Sequence, residues 1–296
     1  MNQIRLRAFA KINLGLDVLG RRENGYHDVR MIMQSVGLFD QLHMKKTHNS
    51  GITLSTNLPY LPSNENNLVY RAVSMLMEEF HIEGGIEIRL EKYIPVAAGM
   101  AGGSTDCAAA LFGMNQLYRL GLGMDKLFEY GAKLGADVPF CLMRGTAVSE
   151  GIGEILTPLP FMPHCYILIA KPGINVSTKY VYDNLDLNRI EDRPDIDGMI
   201  DALNKQDLYE IAARMSNVLE SVTVDKYPVI DVIKQEMKSL GALNSIMSGS
   251  GPTVFGIYDD LKTAKTALNK LRKKDLAKQV FLVEPFHTKQ TSNPKK

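Results

Sequence analysis

Pro95-Val96-Ala97-Ala98-Gly99-Met100-Ala101-Gly102-Gly103-Ser104-Thr105-Asp106 is the most informative stretch of this sequence. It joins residues 85–90, whose hydrophobicity alternates as in a strand, to a strong helix former that begins at Cys107. Small residues let a backbone approach a ligand closely, and the first amides of a helix lack internal partners and carry partial positive charge. The stretch therefore predicts a seat for phosphate oxygens, to which the Ser104 and Thr105 hydroxyls can add bonds. The structural alternative is a tight strand–helix connection capped by Ser104.

Two common nucleotide-binding patterns are missing from this loop. The pattern GxxxxGK[ST] does not occur anywhere in the chain, and the loop does not fit GxGxxG. These absences exclude a P-loop, and they exclude a Rossmann or protein-kinase glycine loop at this position.

Toward the N-terminus, the segment Ala8-Phe9-Ala10-Lys11-Ile12-Asn13-Leu14 places a lysine inside an apolar strand. Burying an ammonium group is unfavourable unless an anion lies beside it. Asn13 follows Lys11 by two positions, so both side chains point from the same strand face. The pair could hold a hydroxyl-bearing substrate and a phosphoryl group. The alternative is an edge lysine whose ammonium reaches solvent.

Two further segments contain candidate site residues. Met247-Ser248-Gly249-Ser250-Gly251-Pro252-Thr253-Val254-Phe255 lies between apolar segments, and its glycines permit a close backbone approach or a plain turn. Asp137, in Gly135-Ala136-Asp137-Val138-Pro139-Phe140, follows a helix predicted to end near Leu134. Pro139 prevents that helix from continuing. From these residues alone, Asp137 is either a helix-end cap or a base.

Periodicity predicts an α+β chain with mixed sheets and a hairpin turn at Asn24-Gly25. Strands are predicted at 3–19, 29–36, 40–44, 52–55, 85–90, 146–149, 152–156, 166–171, 253–258 and 279–284. Helices are predicted at 67–80, 104–120, 125–134, 196–203, 207–222, 229–240 and 261–273.

Taken in order, three of these segments resemble the three motifs of the GHMP kinase superfamily. Ala8 to Leu14 is similar to the first motif, PAKINL, with Phe9 in place of Pro. The glycine-rich stretch is similar to the second, with Met100 and Ala101 replacing the commoner Leu and Gly, and Asp106 where relatives carry Asn, Ser or Ala. Residues 248–255 resemble the third without departure. The resemblance covers nearly the whole chain.

This resemblance implies a two-domain α+β GHMP kinase fold, with a ribosomal protein S5-like N-terminal domain and a ferredoxin-like C-terminal domain. The expected bounds are 1–157 for the domain with the ATP-binding loop, 158–288 for the second domain and 289–296 for a flexible tail. It also implies that Asp137 is the catalytic base and that Lys11 lies beside it. The expected ATP-binding residues are Pro95, Val96, Ala97, Ala98, Gly99, Met100, Ala101, Gly102, Gly103, Ser104 and Thr105, and those of the third glycine motif are Ser248, Gly249, Ser250 and Gly251.

The segment Gly25-Tyr26-His27 resembles the branch of this superfamily that phosphorylates a cytidine diphosphate alcohol. The resemblance implies that Tyr26 and Tyr182 sandwich a cytosine, that His27 hydrogen-bonds it, and that Asn13 and Thr178 contact the substrate. Residues 151–156 also match the branch pattern G(V/I)GE. The implied reaction is ATP-dependent phosphorylation of the 2-hydroxyl of 4-diphosphocytidyl-2-C-methyl-D-erythritol, in the methylerythritol phosphate route to isoprenoid precursors. Another GHMP kinase, acting on homoserine, mevalonate or a sugar, and a non-catalytic nucleotide-binding regulator are the alternatives.

The overall composition limits the possible partners. The 296 residues are 45% hydrophobic and 23% charged, with a net charge of +1, which predicts no nucleic-acid partner. No run reaches the roughly 20 apolar residues of a membrane span and no signal-peptide pattern occurs, so no membrane partner is expected. The three cysteines form no CxxC, which favours reduced thiols and the cytoplasm. We expect a monomer or homodimer that uses ATP as MgATP and has no protein metal ligand.

Overall fold

The computed structural model describes residues 1–287, so the predicted flexible tail, 289–296, lies outside the described residues. Two long antiparallel strands, β1 (Gln3–Arg21) and β2 (His27–Thr47), form the centre of the molecule. Gly25, with φ +86°, donates its N–H to Arg22 O in the turn between them, which confirms the hairpin predicted at Asn24-Gly25. The two strands predicted at 29–36 and 40–44 are one continuous strand, β2.

A seven-stranded mixed sheet is built around this hairpin. Its additional strands are β3 (Gly51–Thr56), β4 (Gly85–Glu91), β5 (Thr146–Glu150), β6 (Ile155–Pro158) and β8 (Ser216–Asn217). The strand order is β3-β4-β2-β1-β8, and β5 and β6 extend the sheet from β2.

Four helices cover one face of the large sheet. They are α1 (Leu68–Glu79), α2 (Gly102–Tyr118), α3 (Met124–Leu134) and α4 (Val138–Met143). Their apolar sides pack on side chains that alternate along the strands, with Ala72 and Leu111 meeting Ala8, Leu42 and Ile88 in one buried cluster.

A second, four-stranded antiparallel sheet follows in the chain. Its strands are β7 (Tyr166–Lys171), β9 (Asn244–Met247), β10 (Val254–Tyr258) and β11 (Gln279–Val283), and their order is β11-β7-β10-β9. The helices of this half are α5 (Thr178–Asp183), α6 (Ile196–Asn204), α7 (Leu208–Ala213), α8 (Glu220–Lys226), α9 (Val229–Ser239) and α10 (Leu261–Lys273), with a 3₁₀ turn at Leu187–Arg189.

The two sheets share a buried cluster. Ile12 and Ile32 of the central hairpin join Ile169 and Phe255 of the second sheet and Met199 of α6. The hairpin is therefore covered on both faces, which explains why β1 and β2 contain long runs of buried residues. Within residues 1–287, no helix has both the length and the apolar content needed to cross a membrane.

The helix predictions need correction in two respects. The single helix predicted at 207–222 is wrong, because Ser216 and Asn217 form β8 between α7 and α8 and pair in parallel with Gly15 and Leu16 of β1. The short helices α4 and α5 were not predicted. Pro139 lies within the first turn of α4. A proline is tolerated there because N–H groups of the first turn have no acceptor within the helix.

Candidate active site

A cavity of about 1060 Å³ opens between the two halves of the chain. Of the residues predicted to form a site, it is lined by Lys11, Asn13, Tyr26, His27, Pro95, Val96, Ala97, Ala98, Gly99, Ala101, Gly102, Gly103, Ser104, Asp137, Thr178, Tyr182, Gly249, Ser250 and Gly251. Three predicted residues, Met100, Thr105 and Ser248, are not part of its wall. The structure thus brings together segments that lie far apart in the sequence.

The glycine-rich stretch forms the loop before α2, and residues with positive φ shape it. Ala97 (φ +50°), Gly99 (+70°) and Ala101 (+54°) are left-handed. A side chain at Gly99 would place its Cβ 2.1 Å from the Ser248 carbonyl oxygen, so only glycine fits there. Helix α2 begins at Gly102 after Ala101 as N-cap, with no side-chain capping bond. Its start lies two residues before the predicted one, and the alternative of a cap at Ser104 is wrong.

The amides at the start of α2 make this loop suitable for an anion. The first α2 amide bonded to a helical carbonyl is that of Thr105, which donates to Ala101 O at 2.9 Å. The N–H groups of Gly102, Gly103 and Ser104 precede it and belong to the unpaired first turn. They line the cavity with the positive end of the helix dipole behind them. The Thr105 side chain is buried beneath the helix, and Met100 lies in the core, where its carbonyl accepts the Lys11 N–H at 3.2 Å.

Lys11 is held among oxygen atoms at the bottom of the cavity and is 5% exposed. Its ammonium donates to Asn13 Oδ1 at 2.6 Å and to Gly99 O at 3.2 Å. Ser248 Oγ donates to the same Gly99 carbonyl at 2.9 Å. A β-bulge between Phe9 and Lys11 shifts the register just before this pair. The first strand, the glycine-rich loop and the third glycine motif therefore meet at one carbonyl group.

Asp137 lines the same cavity at the start of α4, and its side chain makes no capping bond. We expected Lys11 beside it. Within the described residues Lys11 forms no ion pair with Asp137, because the ammonium lies against Asn13 and Gly99. Both charges are nevertheless close to Cys141: burial raises the pKa of that thiol, Asp137 raises it further and Lys11 opposes this.

Three lining residues of the cavity, Tyr26, His27 and Tyr182, are aromatic, and we call their part of the cavity the recess. Tyr26 is 59% exposed on the hairpin turn, and the Thr178 and Ser250 hydroxyls are 2.8 Å apart. The rings of His27 and Tyr182 lie 5.1 Å apart at 37°, so His27 is the aromatic neighbour of Tyr182 among the described residues. Burial and the charge of Arg21 lower the pKa of His27, which keeps its imidazole neutral at pH 7.

Comparison with known proteins identifies the family. Residues 67–145 match the GHMP kinases N terminal domain, and residues 199–276 match GHMP kinases C terminal. Over 286 residues, 97% of this chain and 99% of the relative, the sequence is 57% identical to 4-diphosphocytidyl-2-C-methyl-D-erythritol kinase of Lachnospira eligens. The chain belongs to the GHMP kinase family.

Other comparisons agree with this membership. A relative of the same name from Alkaliphilus metalliredigens is 48% identical to this GHMP kinase over 97% of the chain and 98% of the relative. A crystal structure of 4-(cytidine 5'-diphospho)-2C-methyl-D-erythritol kinase has a TM-score of 0.83 at 32% identity, covering 96% of this chain and all of that one. Homoserine kinase from Cytophaga hutchinsonii shares the fold, with a TM-score of 0.76 and 21% identity. The match covers 97% of this chain and 95% of that one. The predicted two-domain α+β GHMP kinase fold is confirmed.

Sequence reasoning missed the residues that hold the third glycine motif of this GHMP kinase. The Asn217 amide is buried and donates to Met247 O and Gly249 O, both at 2.8 Å. Glu220 accepts the Met247 N–H at 2.6 Å and pairs with Lys234. The local sequence pattern does not indicate this role, because it places Asn217 inside the predicted helix 207–222.

A buried charge cluster beside the glycine-rich loop was also missed. Lys92 forms ion pairs with Asp40 and, at 2.6 Å, with Asp106. Asp40 accepts the N–H groups of Tyr93 and Ile94 as well. A Cβ at Gly102 would lie 3.2 Å from the Lys92 ammonium, so this charge lies next to the first turn of α2. The available signals were a lysine immediately before the loop and the acidic residue at position 106.

Proposed function

We propose that this GHMP kinase transfers the γ-phosphoryl group of ATP to the 2-hydroxyl of 4-diphosphocytidyl-2-C-methyl-D-erythritol. The observation that carries the proposal is one cavity whose lining combines Lys11 and Asp137 with an anion-binding helix terminus and an aromatic recess. Relatives that bear the name of this kinase, 45–57% identical over nearly their full length, support the same substrate.

The nucleotide would occupy the end of the cavity formed by the glycine-rich loop. Phosphate oxygens would accept from the free amides of Gly102, Gly103 and Ser104. Leu61 and Leu68 are apolar residues of the same cavity wall and would contact the nucleoside. No group of three or more metal-ligating side chains occurs among residues 1–287, so Mg²⁺ would enter as part of the substrate MgATP, coordinated mainly by phosphate and water.

Phosphoryl transfer requires positioning and charge stabilisation more than covalent chemistry by the protein. Asp137 is free of capping bonds, so its carboxylate can accept the proton of the substrate hydroxyl. The Lys11 ammonium, held by Asn13 and Gly99, would stabilise the negative charge on the attacking oxygen and the transferred phosphoryl group. Because those two bonds fix its position, little reorganisation accompanies the reaction.

The recess would bind the cytidine end of the alcohol. Tyr26 and Tyr182 offer ring faces at its entrance and its wall, and the neutral imidazole of His27 offers one donor and one acceptor to a cytosine edge. Thr178 would contact the remainder of the substrate. We further infer a cytoplasmic enzyme of the methylerythritol phosphate pathway that acts as a monomer or homodimer without a nucleic-acid partner.

The experiment is a comparison of acceptors. ADP release is measured with 4-diphosphocytidyl-2-C-methyl-D-erythritol, homoserine and mevalonate under identical conditions, and ³¹P NMR identifies the phosphorylated position. We expect turnover with the cytidine diphosphate alcohol at least about 100-fold above that with the other two acceptors. Higher turnover with homoserine or mevalonate would assign the chain to another GHMP activity. ATP binding without turnover of any acceptor would favour a nucleotide-binding regulator.

A further inference from the structure

A second cavity of about 460 Å³ lies behind the glycine-rich loop. Pro95, Val96 and Ala97 form a wall that it shares with the larger cavity. Its other walls come from both halves of the chain: Leu58, Tyr60, Tyr93 and Ile94 from the first, and Lys171, Asn175, Gln279 and Phe281 from the second. The volume is within the range of small-molecule sites, about 300–1,000 Å³.

The charge in this cavity is uncompensated. Lys171 ends strand β7 and is 9% exposed, and its ammonium donates to Ile174 O at 3.0 Å, Pro172 O at 3.3 Å and Asn175 Oδ1 at 3.4 Å. All three acceptors are neutral, and within the described residues Lys171 forms no ion pair. A buried cation that is hydrogen-bonded but not paired keeps its attraction for an anion.

The surroundings reinforce this positive charge. No Asp or Glu of residues 1–287 lines the cavity. Lys278 lies nearby, because its backbone N–H donates to Lys171 O at 2.9 Å. Its side chain also lies over Gly173, where an added Cβ would be 2.7 Å from Lys278 Cε. Burial lowers the pKa of Lys171 and the charge of Lys278 lowers it further. Lys92 also faces the cavity, but its ammonium is already paired with Asp40 and Asp106.

The rim carries two tyrosines that no aromatic partner covers among the described residues. Tyr60 is 71% exposed and Tyr93 is 47% exposed, and Phe281 lies further inside. Exposed aromatic rings beside an unpaired ammonium suit a ligand with a flat or apolar body and an anionic group.

We propose that this second cavity is a binding site for a small organic anion, a carboxylate or phosphate on an apolar or aromatic body, with Lys171 binding the anionic group. Tyr60 and Tyr93 hold the body of the ligand. The site is separate from the acceptor recess and from the amides of α2, and it meets the larger cavity at the Pro95–Ala97 wall.

Methyl NMR separates binding here from binding in the larger cavity. Ile94 lines the second cavity and Ile152 lines the first, so isoleucine δ-methyl labelling reports on each. Phenyl phosphate is the probe, and benzyl alcohol is its uncharged counterpart. We expect phenyl phosphate to shift the Ile94 signal saturably in the wild-type chain, with benzyl alcohol binding at least about tenfold more weakly.

Variants test the two parts of the site. Lys171→Met keeps the length of the stem and removes the charge, so the Kd obtained from Ile94 should rise at least about tenfold. Tyr60→Ala, at an exposed position where the fold is insensitive, should raise it about threefold to tenfold. Lys270→Met, an exposed lysine of α10, is the matched control and should bind as wild type. An Ile94 signal that phenyl phosphate leaves unmoved, or equal Kd values for wild type, Lys171→Met and Tyr60→Ala, would overturn the proposal.

Discussion

Asp137 is a half-buried carboxylate at the start of α4 that the fold leaves without a capping bond. Its charge affects Cys141 and Tyr182, whose pKa values are raised chiefly by burial and further by Asp137. A carboxylate that stabilises no helix terminus and faces a cavity is available for proton transfer.

The first prediction concerns this residue. Asp137→Asn keeps the shape and removes the base, so kcat should fall by about 10²–10⁴-fold while the Kd for ATP changes less than about twofold. Steady-state kinetics and calorimetric ATP titration measure the two effects. Asp183→Asn is the matched control, because Asp183 lines the same cavity but is exposed and paired with Lys179. Unchanged kcat in Asp137→Asn, or lost ATP binding with normal turnover of the complex, would refute the assignment.

A second residue-scale prediction concerns the buried Asp106. Burial raises the pKa of Asp106 well above its usual range; the charge of Lys92 opposes this shift, and that of Asp40 adds to it. Asp106 Oδ1 accepts no hydrogen bond among the described residues. Between the unfolded and the folded pKa, the folded protein therefore binds a larger share of a proton at Asp106 than the unfolded chain does. The contribution of Asp106 to the free energy of unfolding consequently falls as pH rises from the unfolded pKa toward the folded one.

Asp106→Asn removes this dependence. Its melting temperature should exceed that of the wild type by about 2–4 °C at pH 8, and the difference should shrink toward pH 5. Scanning calorimetry across this range measures it. Asp40→Asn is the contrasting variant. It leaves either Lys92 or the amides of Tyr93 and Ile94 without an acceptor, so it should lower the melting temperature at every pH. A gain for Asp106→Asn that grows as pH falls would contradict the argument.

At the scale of elements, the third glycine motif is positioned by side chains outside it. Asn217 donates to two of its carbonyls, and the motif in turn contacts Gly99, which accepts from Lys11. A series of hydrogen bonds therefore links the short strand β8 to the proposed catalytic lysine.

Asn217→Asp tests that link. It replaces the donor by an oxygen facing the carbonyls of Met247 and Gly249, which should displace the motif and lower kcat/KM at least about tenfold. Asn244→Asp is the matched control, because Asn244 donates at 2.8 Å to Ala212 O, away from the cavity. Circular dichroism checks that both variants fold. Equal losses of activity in the two variants would mean that Asn217 supports stability alone.

Elements set by local patterns were predictable, and elements set by distant pairing were not. The amphipathic period of α10 and the Asn24-Gly25 turn lie within single segments, so the sequence predicted both. Strand β8 exists because it pairs with Gly15 and Leu16, about two hundred positions away, which no local period reveals. The same limit hid the Lys92–Asp40 pair. Short helices such as α4 carry too few turns for a periodic signal.

At the scale of the whole molecule, the two halves are joined through their cores. Ile12 and Ile32 of the first half are buried against Ile169 and Phe255 of the second. Strand β8 and a bridge between Val36 and Pro285 also bring late parts of the chain onto the central hairpin. A domain that lost this contact would expose a continuous apolar face of the hairpin, so neither half should unfold while the other remains intact.

The chain contains no tryptophan, so a single introduced one reports on its own half. Tyr60 lies in the first half and Tyr209 in the second, and both are exposed, so Tyr60→Trp and Tyr209→Trp should leave stability nearly unchanged. Because the shared core couples the halves, urea unfolding followed by fluorescence in each variant should give midpoints within about 0.2 M of each other and of the wild-type circular dichroism transition. If the halves unfold separately, the two variants should give different fluorescence midpoints, and each midpoint should coincide with only part of the circular dichroism transition.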